Sequence, residues 1–158
     1  MTANFRRALP LDAPALLKVR AATRENPFSI EALAAVGINA ESVAVGLQSG
    51  ALAGWVSEAE PGNVAGFCLA DVPAGELWVL AVLPSHERRG FGRELLERTE
   101  QLLWQAGHTS AWLWTSPDLS LRARKIYLAA GWQDSEVRDG RLFMRKQRPS
   151  PGDAAECK

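Results

Sequence analysis

At 158 residues the chain is about one domain long, and with 47% hydrophobic and 23% charged residues it has the make-up of an ordinary soluble globular protein. Eighteen basic and eighteen acidic residues cancel, which gives no support to broad binding of nucleic acid or of an anionic membrane. The opening "MTANFRRALPLD" lacks the apolar core of a signal peptide, and no stretch approaches the ~18 apolar residues of a membrane span. Of two cysteines, Cys68 sits in an apolar run and Cys157 in the last residues, so neither a disulfide framework nor a metal cluster is indicated and a cytoplasmic setting is the default.

In chain order, "FRRAL" reads as a first strand. "DAPALLKVRAATREN" follows as a helix, with Asp12 as N-cap and Leu16, Val19, Arg20 and Thr23 at helical spacing; Pro27 closes it. "SIEALAAV" and "NAESVAVGLQS" are two short helices opened by Ser29 and Asn39 and divided by Gly37. "ALAGWVSEA" and "NVAGFCLAD" flank the turn "EPGN" as a hairpin, and "GELWVLAVLP", apolar after Glu76, suits a central strand covered on both faces. From Gly90 to Ala106 the period becomes helical. Leu95, Leu96, Thr99, Leu102, Leu103 and Ala106 form the apolar stripe, and Arg93, Glu94, Glu97, Arg98 and Glu100 are assigned to water.

"AWLWT" is a strand and "DLSLRARKIYLAAG" a helix stopped by Gly131. "WQDSEV" and "RLFMRK" make a closing hairpin around Asp139-Gly140. The order β-α-α-α-β-β-β-α-β-α-β-β predicts an α/β (α+β) fold, with helices on both faces of a mixed, mostly antiparallel sheet of about six or seven strands. Residues 1–147 are read as a single domain and 148–158 as a disordered tail.

The stretch "LPSHERRGFGRELL" places Arg88, Arg89, Gly90, Phe91, Gly92 and Arg93 where a strand becomes a helix. Unpaired N–H groups at a helix start favour an anion, and glycines without Cβ let a phosphate come close to the backbone. Neither the dinucleotide fingerprint, which would need glycine at Leu95, nor the mononucleotide loop is present. From these residues alone, a phosphate grip and a plain tight turn with solvated arginines both remain open.

The surrounding register narrows the choice. "LAVLPSHERRGFGRELL" resembles the acyl-CoA-binding segment of the GNAT acetyltransferase superfamily, with Val82, Pro84, Arg88, Arg89, Gly90 and Gly92 in place and Glu87 departing from the usual Gln or Arg. "SLRARKIYLAAGW" resembles a second family segment, with Ala123, Tyr127, Gly131 and Trp132 in register and Ser120 where asparagine is usual. The resemblance implies the GNAT fold and transfer of an acetyl group from acetyl-CoA, as co-substrate and without a metal, to a primary amine by direct attack in a ternary complex. It implies that Arg88, Arg89, Gly90, Phe91, Gly92 and Arg93 hold the pyrophosphate and that Ser120 meets the pantetheine arm. A bulge around Leu80, Ala81 and Val82 would offer backbone N–H to the thioester oxygen, with the strand splayed from "AWLWT".

Tyr127, the chain's one tyrosine, occupies the family position of the acid that protonates the leaving thiolate; the other reading is a helix tyrosine packed on the sheet. Glu76 is the candidate base, with Trp78 two residues on and on the same side. Against this stand a solvated strand-end glutamate and a water chain. His86 is expected in an exposed loop and His108 at a helix end; Cys68 reads as core rather than acyl carrier. Trp112 and Trp114 share a strand face, with core packing as the first explanation and pocket lining as the second.

For the acceptor, Arg20, Arg24, Glu25 and Asn26 lie near the bend at Pro27, with Trp78 as a further contact and plain surface exposure as the other reading. A small-molecule or amino-acid-like amine is the first expectation and a protein N-terminus or lysine the second. A non-catalytic acyl-CoA sensor and a nucleotide-binding domain are the rivals from other classes. Dimers are common in the superfamily, so a homodimer is allowed.

Overall fold

The computed structural model describes residues 4–23, 29–86, 90–118 and 122–150. Strands β1 (Asn4–Arg7), β2 (Leu52–Glu60), β3 (Asn63–Asp71) and β4 (Glu76–Val82) pair antiparallel in succession. β5 (Ser110–Thr115) lies parallel to β4, and β7 (Arg141–Gln147) separates it from β6 (Gln133–Arg138), giving the order β1-β2-β3-β4-β5-β7-β6. The sheet is mixed and mostly antiparallel, as the element order predicts.

Among the described residues, five helices cover its two faces. α1 (Ala13–Ala22) and α3 (Ala40–Ser49) bury Leu16, Val19 and Val43 against Val56, Phe67, Leu69 and Ala81, with α2 (Ile30–Ala35) beside them. On the other face α4 (Phe91–Gln105) and α5 (Arg122–Ala129) bury Leu95, Leu96, Leu103 and Tyr127 against Cys68, Leu77, Ala111, Leu113 and Met144. This double cover explains why β4 is apolar almost throughout: Leu80 and Val82 serve one core while Trp78, Val79 and Ala81 serve the other.

Local chemistry sets the boundaries. The Ser29 hydroxyl accepts from Ala32 N–H and Asn39 Oδ1 from Ser42 N–H, so both predicted caps form, and Gly50 ends α3 at φ 87°. Asp139 and Gly140 take φ 54° and 74°, the pair of positive values that a two-residue hairpin of this kind requires. Asp12 behaves differently from its predicted capping role. Its carboxylate makes no cap bond to α1; it accepts two hydrogen bonds from Arg6 at 2.8 and 2.9 Å and one from Leu9 N–H at 2.7 Å. Burial acts to raise this carboxyl, yet Arg6 and the Leu9 N–H outweigh it and hold the group below its ordinary value.

The largest departure is Glu100, assigned to water by its charge and found 3% exposed. Its Oε2 accepts from Trp132 Nε1 at 2.7 Å and its Oε1 from Lys146 Nζ at 2.6 Å; the same ammonium donates to Ala130 O at 2.7 Å. Both carboxylate oxygens are satisfied, which is the condition for burying such a charge. In the predicted stripe, Ala106 falls beyond the end of α4 and is exposed, and Leu102 is only half-buried. Trp112 and Trp114 are not core either. The buried residues of β5 are Ala111 and Leu113, and the tryptophans take the opposite face, Trp112 half-buried and Trp114 37% exposed. His86 is half-buried and stacks on Phe91, with ring centroids 6.1 Å apart. His108 Nε2 lies 2.6 Å from Val72 O and ties the end of α4 to the loop before β4. Residues 151–158 of the expected tail lie outside the described residues.

Candidate active site

The parallel partnership of β4 and β5 amounts to one register position, Glu76 beside Trp112, with Trp112 N–H donating to Gly75 O at 3.2 Å. Beyond it the strands part, which is the splay expected from the family resemblance. On its other edge β4 stays paired with β3, and Leu83 N–H donates to Ala65 O at 2.8 Å. Antiparallel pairing alternates, so Ala81 also bonds to β3 while the N–H groups of Leu80 and Val82 point into the gap. The bulge lies two residues earlier than expected: Leu69 faces Val79 and Ala70 faces Leu77, leaving Trp78 as the extra residue. Trp78 and Val79 consequently both turn towards α1 and α3.

At the end of β4 the chain turns into α4 through the glycine pair. Gly90 has φ 80°, and a Cβ built there would touch nothing within 4 Å, so conformation rather than crowding requires glycine at this position. Gly90 has no side chain to cap α4, which leaves first-turn N–H groups available to an anion. At Gly92 a Cβ would meet Ile126 Cδ1 at 3.5 Å and Val82 Cγ2 at 3.9 Å, ordinary contacts. The start of α4, the end of β4 and α5 therefore converge there. Phe91 is buried, and Arg93 pairs with Glu97 along the exposed face of α4. Glu87, Arg88, Arg89 and Ser120 lie outside the described residues.

If phosphate approaches the backbone at Gly92, a methyl group there obstructs it without disturbing the fold. Gly92→Ala is expected to keep or slightly raise thermal stability, since alanine favours a helix by about 0.5–1 kcal/mol over glycine, while calorimetric titration shows CoA binding weakened at least tenfold. Unchanged CoA affinity would remove Gly92 from the grip.

Tyr127 is buried on α5, its ring 6.3 Å from that of Trp132. Burial pushes its phenol well above the ordinary value; the neighbouring Cys68 acts in the same direction and Arg20 in the opposite one. Cys68 is fully buried and its thiol is pushed up to about 12, which suits a core residue and not an acyl carrier. Glu76 is 9% exposed; burial first, and Asp71 opposite it second, raise its carboxyl to about 7. That value contrasts with the reading of a solvated strand-end glutamate and is matched to base work near neutrality.

Beside Trp78 a cavity of about 320 Å³ opens on the α1 side, at the small end of ligand pockets. Arg20 and Trp78 line it, and Glu76 is not among the lining residues. Arg24, Glu25 and Asn26 lie outside the described residues. The cavity adds residues that no motif signalled: Leu33 and Ile38 near α2, Trp114 on β5 and Arg141 at the start of β7. The alternation of Trp112 and Trp114 is the one pattern that could have pointed there, since pocket lining was their second reading.

With this geometry in place, comparison with known proteins defines the class. The sequence model of the acetyltransferase (GNAT) family matches residues 14–132, most of the chain. The chain belongs to the acetyltransferase (GNAT) family, and with it to the acetyl-CoA-dependent acetyltransferases. Among solved structures, it is similar to the PaiA N-acetyltransferase of Thermoplasma acidophilum in complex with coenzyme A, with TM-score 0.79, 19% identity and coverage of 94% of this chain and 100% of that one. It is similar to the ribosomal-protein-S18-alanine N-acetyltransferase of Escherichia coli, with TM-score 0.69, 20% identity and coverage of 95% and 97%. A third similar structure is yncA of Salmonella typhimurium with its cofactor acetyl-CoA, with TM-score 0.69, 17% identity and coverage of 96% and 98%. At these identities the similarity establishes the fold. No curated protein sequence matches the chain significantly.

Proposed function

We propose that the protein transfers the acetyl group of acetyl-CoA to the primary amine of a small-molecule acceptor by direct attack in a ternary complex. The observation that carries this reading is the gap between β4 and β5, into which the Leu80 and Val82 N–H groups point, with the Gly90–Gly92 turn at one end and Tyr127 beside it. The pyrophosphate of CoA rests on the start of α4 and the pantetheine arm enters the gap. The acetyl carbonyl then meets the backbone N–H groups, which stabilise the oxygen as it gains charge.

The acceptor arrives as an ammonium ion. It gives a proton to Glu76, directly or through water, and its nitrogen attacks the thioester carbon. The C–N bond forms, the C–S bond breaks, and the electron pair leaves on sulfur. The nitrogen then sheds a second proton, which ends on the leaving sulfur, so ammonium and acetyl-CoA yield the N-acetyl amine, CoA thiol and the one proton taken by Glu76. The sulfur receives its hydrogen bond from Tyr127.

The direct test incubates the protein with acetyl-CoA and a library of primary amines, following thiol release and confirming each N-acetyl product by mass. Tight CoA binding without turnover of any amine would instead favour an acyl-CoA sensor, and binding of ATP or NAD without CoA would reject the site assignment.

A further inference from the structure

The cavity beside Trp78 carries information about the acceptor that the family does not supply. Its walls are hydrocarbon and indole: Leu33, Ile38, Phe67 and Trp78 line it from three different elements and the loop after α2. Among the described residues its only charged lining groups are Arg20 and Arg141, and no carboxylate lines it. Arg141 lies with its guanidinium 4.3 Å from the ring centre of Trp114, which also lines the cavity. A guanidinium stacked on indole is held flat, and its N–H edge is free to take a planar anion in bidentate fashion. Arg141 is exposed and makes no ion pair with another described residue. Trp78 and Val79 on β4 and Trp114 on β5 also line it, so the cavity adjoins the gap between those two strands.

Resting on the acyltransferase reading, we propose that the acceptor is a free apolar amino acid, whose carboxylate is bound by Arg141 and whose branched or aromatic side chain fills the cavity. Among the described residues the apolar wall offers no carboxylate to a second ammonium group, so polyamines are poor acceptors. The volume of about 320 Å³ suits one amino-acid side chain rather than a folded peptide segment. The reaction is the one written above, with the amino acid's α-ammonium as the nitrogen that loses its proton and gains the acetyl group.

The experiment compares matched pairs with and without the carboxylate: phenylalanine against 2-phenylethylamine and leucine against 3-methylbutylamine, with spermidine and a phenylalanine-led peptide as further arms. The proposal expects kcat/KM at least tenfold higher for each amino acid than for its partner. It also expects that ratio to fall at least tenfold in Arg141→Met, mainly through KM, with partial recovery in Arg141→Lys. A ratio of one or less, a ratio untouched by Arg141→Met, or faster acetylation of spermidine or the peptide would overturn it. If no amine is acetylated at all, the acyltransferase reading fails, and calorimetric titration of phenylalanine decides the pocket separately. Saturable binding weakened at least tenfold by Arg141→Met upholds it, and absent or unaltered binding rejects it.

Discussion

Replacing Tyr127 with phenylalanine is expected to lower kcat about 100-fold, the low end of what a positioned proton donor contributes. The thiolate of CoA has the basicity of a simple thiol, near pKa 8.5, and an ordinary phenol lies near 10, so complete proton transfer between them is uphill by about 2 kcal/mol. Burial pushes the Tyr127 phenol further up. The phenol therefore stays protonated through the working range and acts by hydrogen-bonding the sulfur as negative charge collects there. The phenyl ring retains its place beside Trp132, so the melting temperature should stay close to that of the parent. Steady-state turnover together with a thermal melt tests the role, and a loss below fivefold in a folded variant would hand the proton to water.

The second large effect belongs to Glu76, and it has two signatures. In the parent enzyme kcat/KM should rise with pH and level off above about 7, as the carboxyl loses its proton and becomes able to accept one from the ammonium. In Glu76→Gln this limb should vanish and the plateau should fall about 100-fold. Stability moves the other way. Burial, and then Asp71, raise the folded-state carboxyl to about 7 from 4.5, so the native state favours the protonated form. Its contribution is complete below about pH 4.5 and is lost as pH rises through about 7. Glu76→Gln should therefore match the parent near pH 4.5 and exceed it by on the order of 3 kcal/mol at pH 8. Denaturant melts at the two pH values measure this, and a pH-independent difference would mean that Glu76 is not the titrating group. A retained pH limb in the variant would transfer the base role to another group.

The parts of the molecule that could be read from the chain are those fixed by local chemistry. Asp139-Gly140 specifies its hairpin, Ser29 and Asn39 their helix starts, and Gly90 the left-handed step into α4, because in each case a backbone conformation or a nearby N–H selects the residue type. Glu100 shows where such reading stops. It is four residues after Leu96 and three before Leu103, so its spacing places it on the buried stripe. Its charge argues for water, and only Trp132 and Lys146, distant in sequence, resolve the conflict. Asp12 repeats the pattern, since Arg6 claims the carboxylate that helix rules assign to a cap. The cavity was less legible still. Its wall draws on α1, α2, α3, β3, β4, β5 and β7, and no periodicity within one segment encodes a surface shared by seven.

The buried carboxylate of Glu100 has a consequence for how the molecule breathes. It joins α4, which begins at the glycine turn, to Trp132 just beyond the end of α5 and to Lys146 on β7, the strand that begins at Arg141. The Trp132 amide itself donates to Tyr127 O. Lifting the end of α5 away would strand a buried charge, so these pieces cannot open one at a time. Amide exchange of the Tyr127–Trp132 turn and of β7 should share one opening free energy, close to that of α4, and clearly separate values would show the fastening to be weaker than its geometry. The donor grip, the acid and the acceptor's anchoring arginine would then be assembled or lost together, as one cooperative unit.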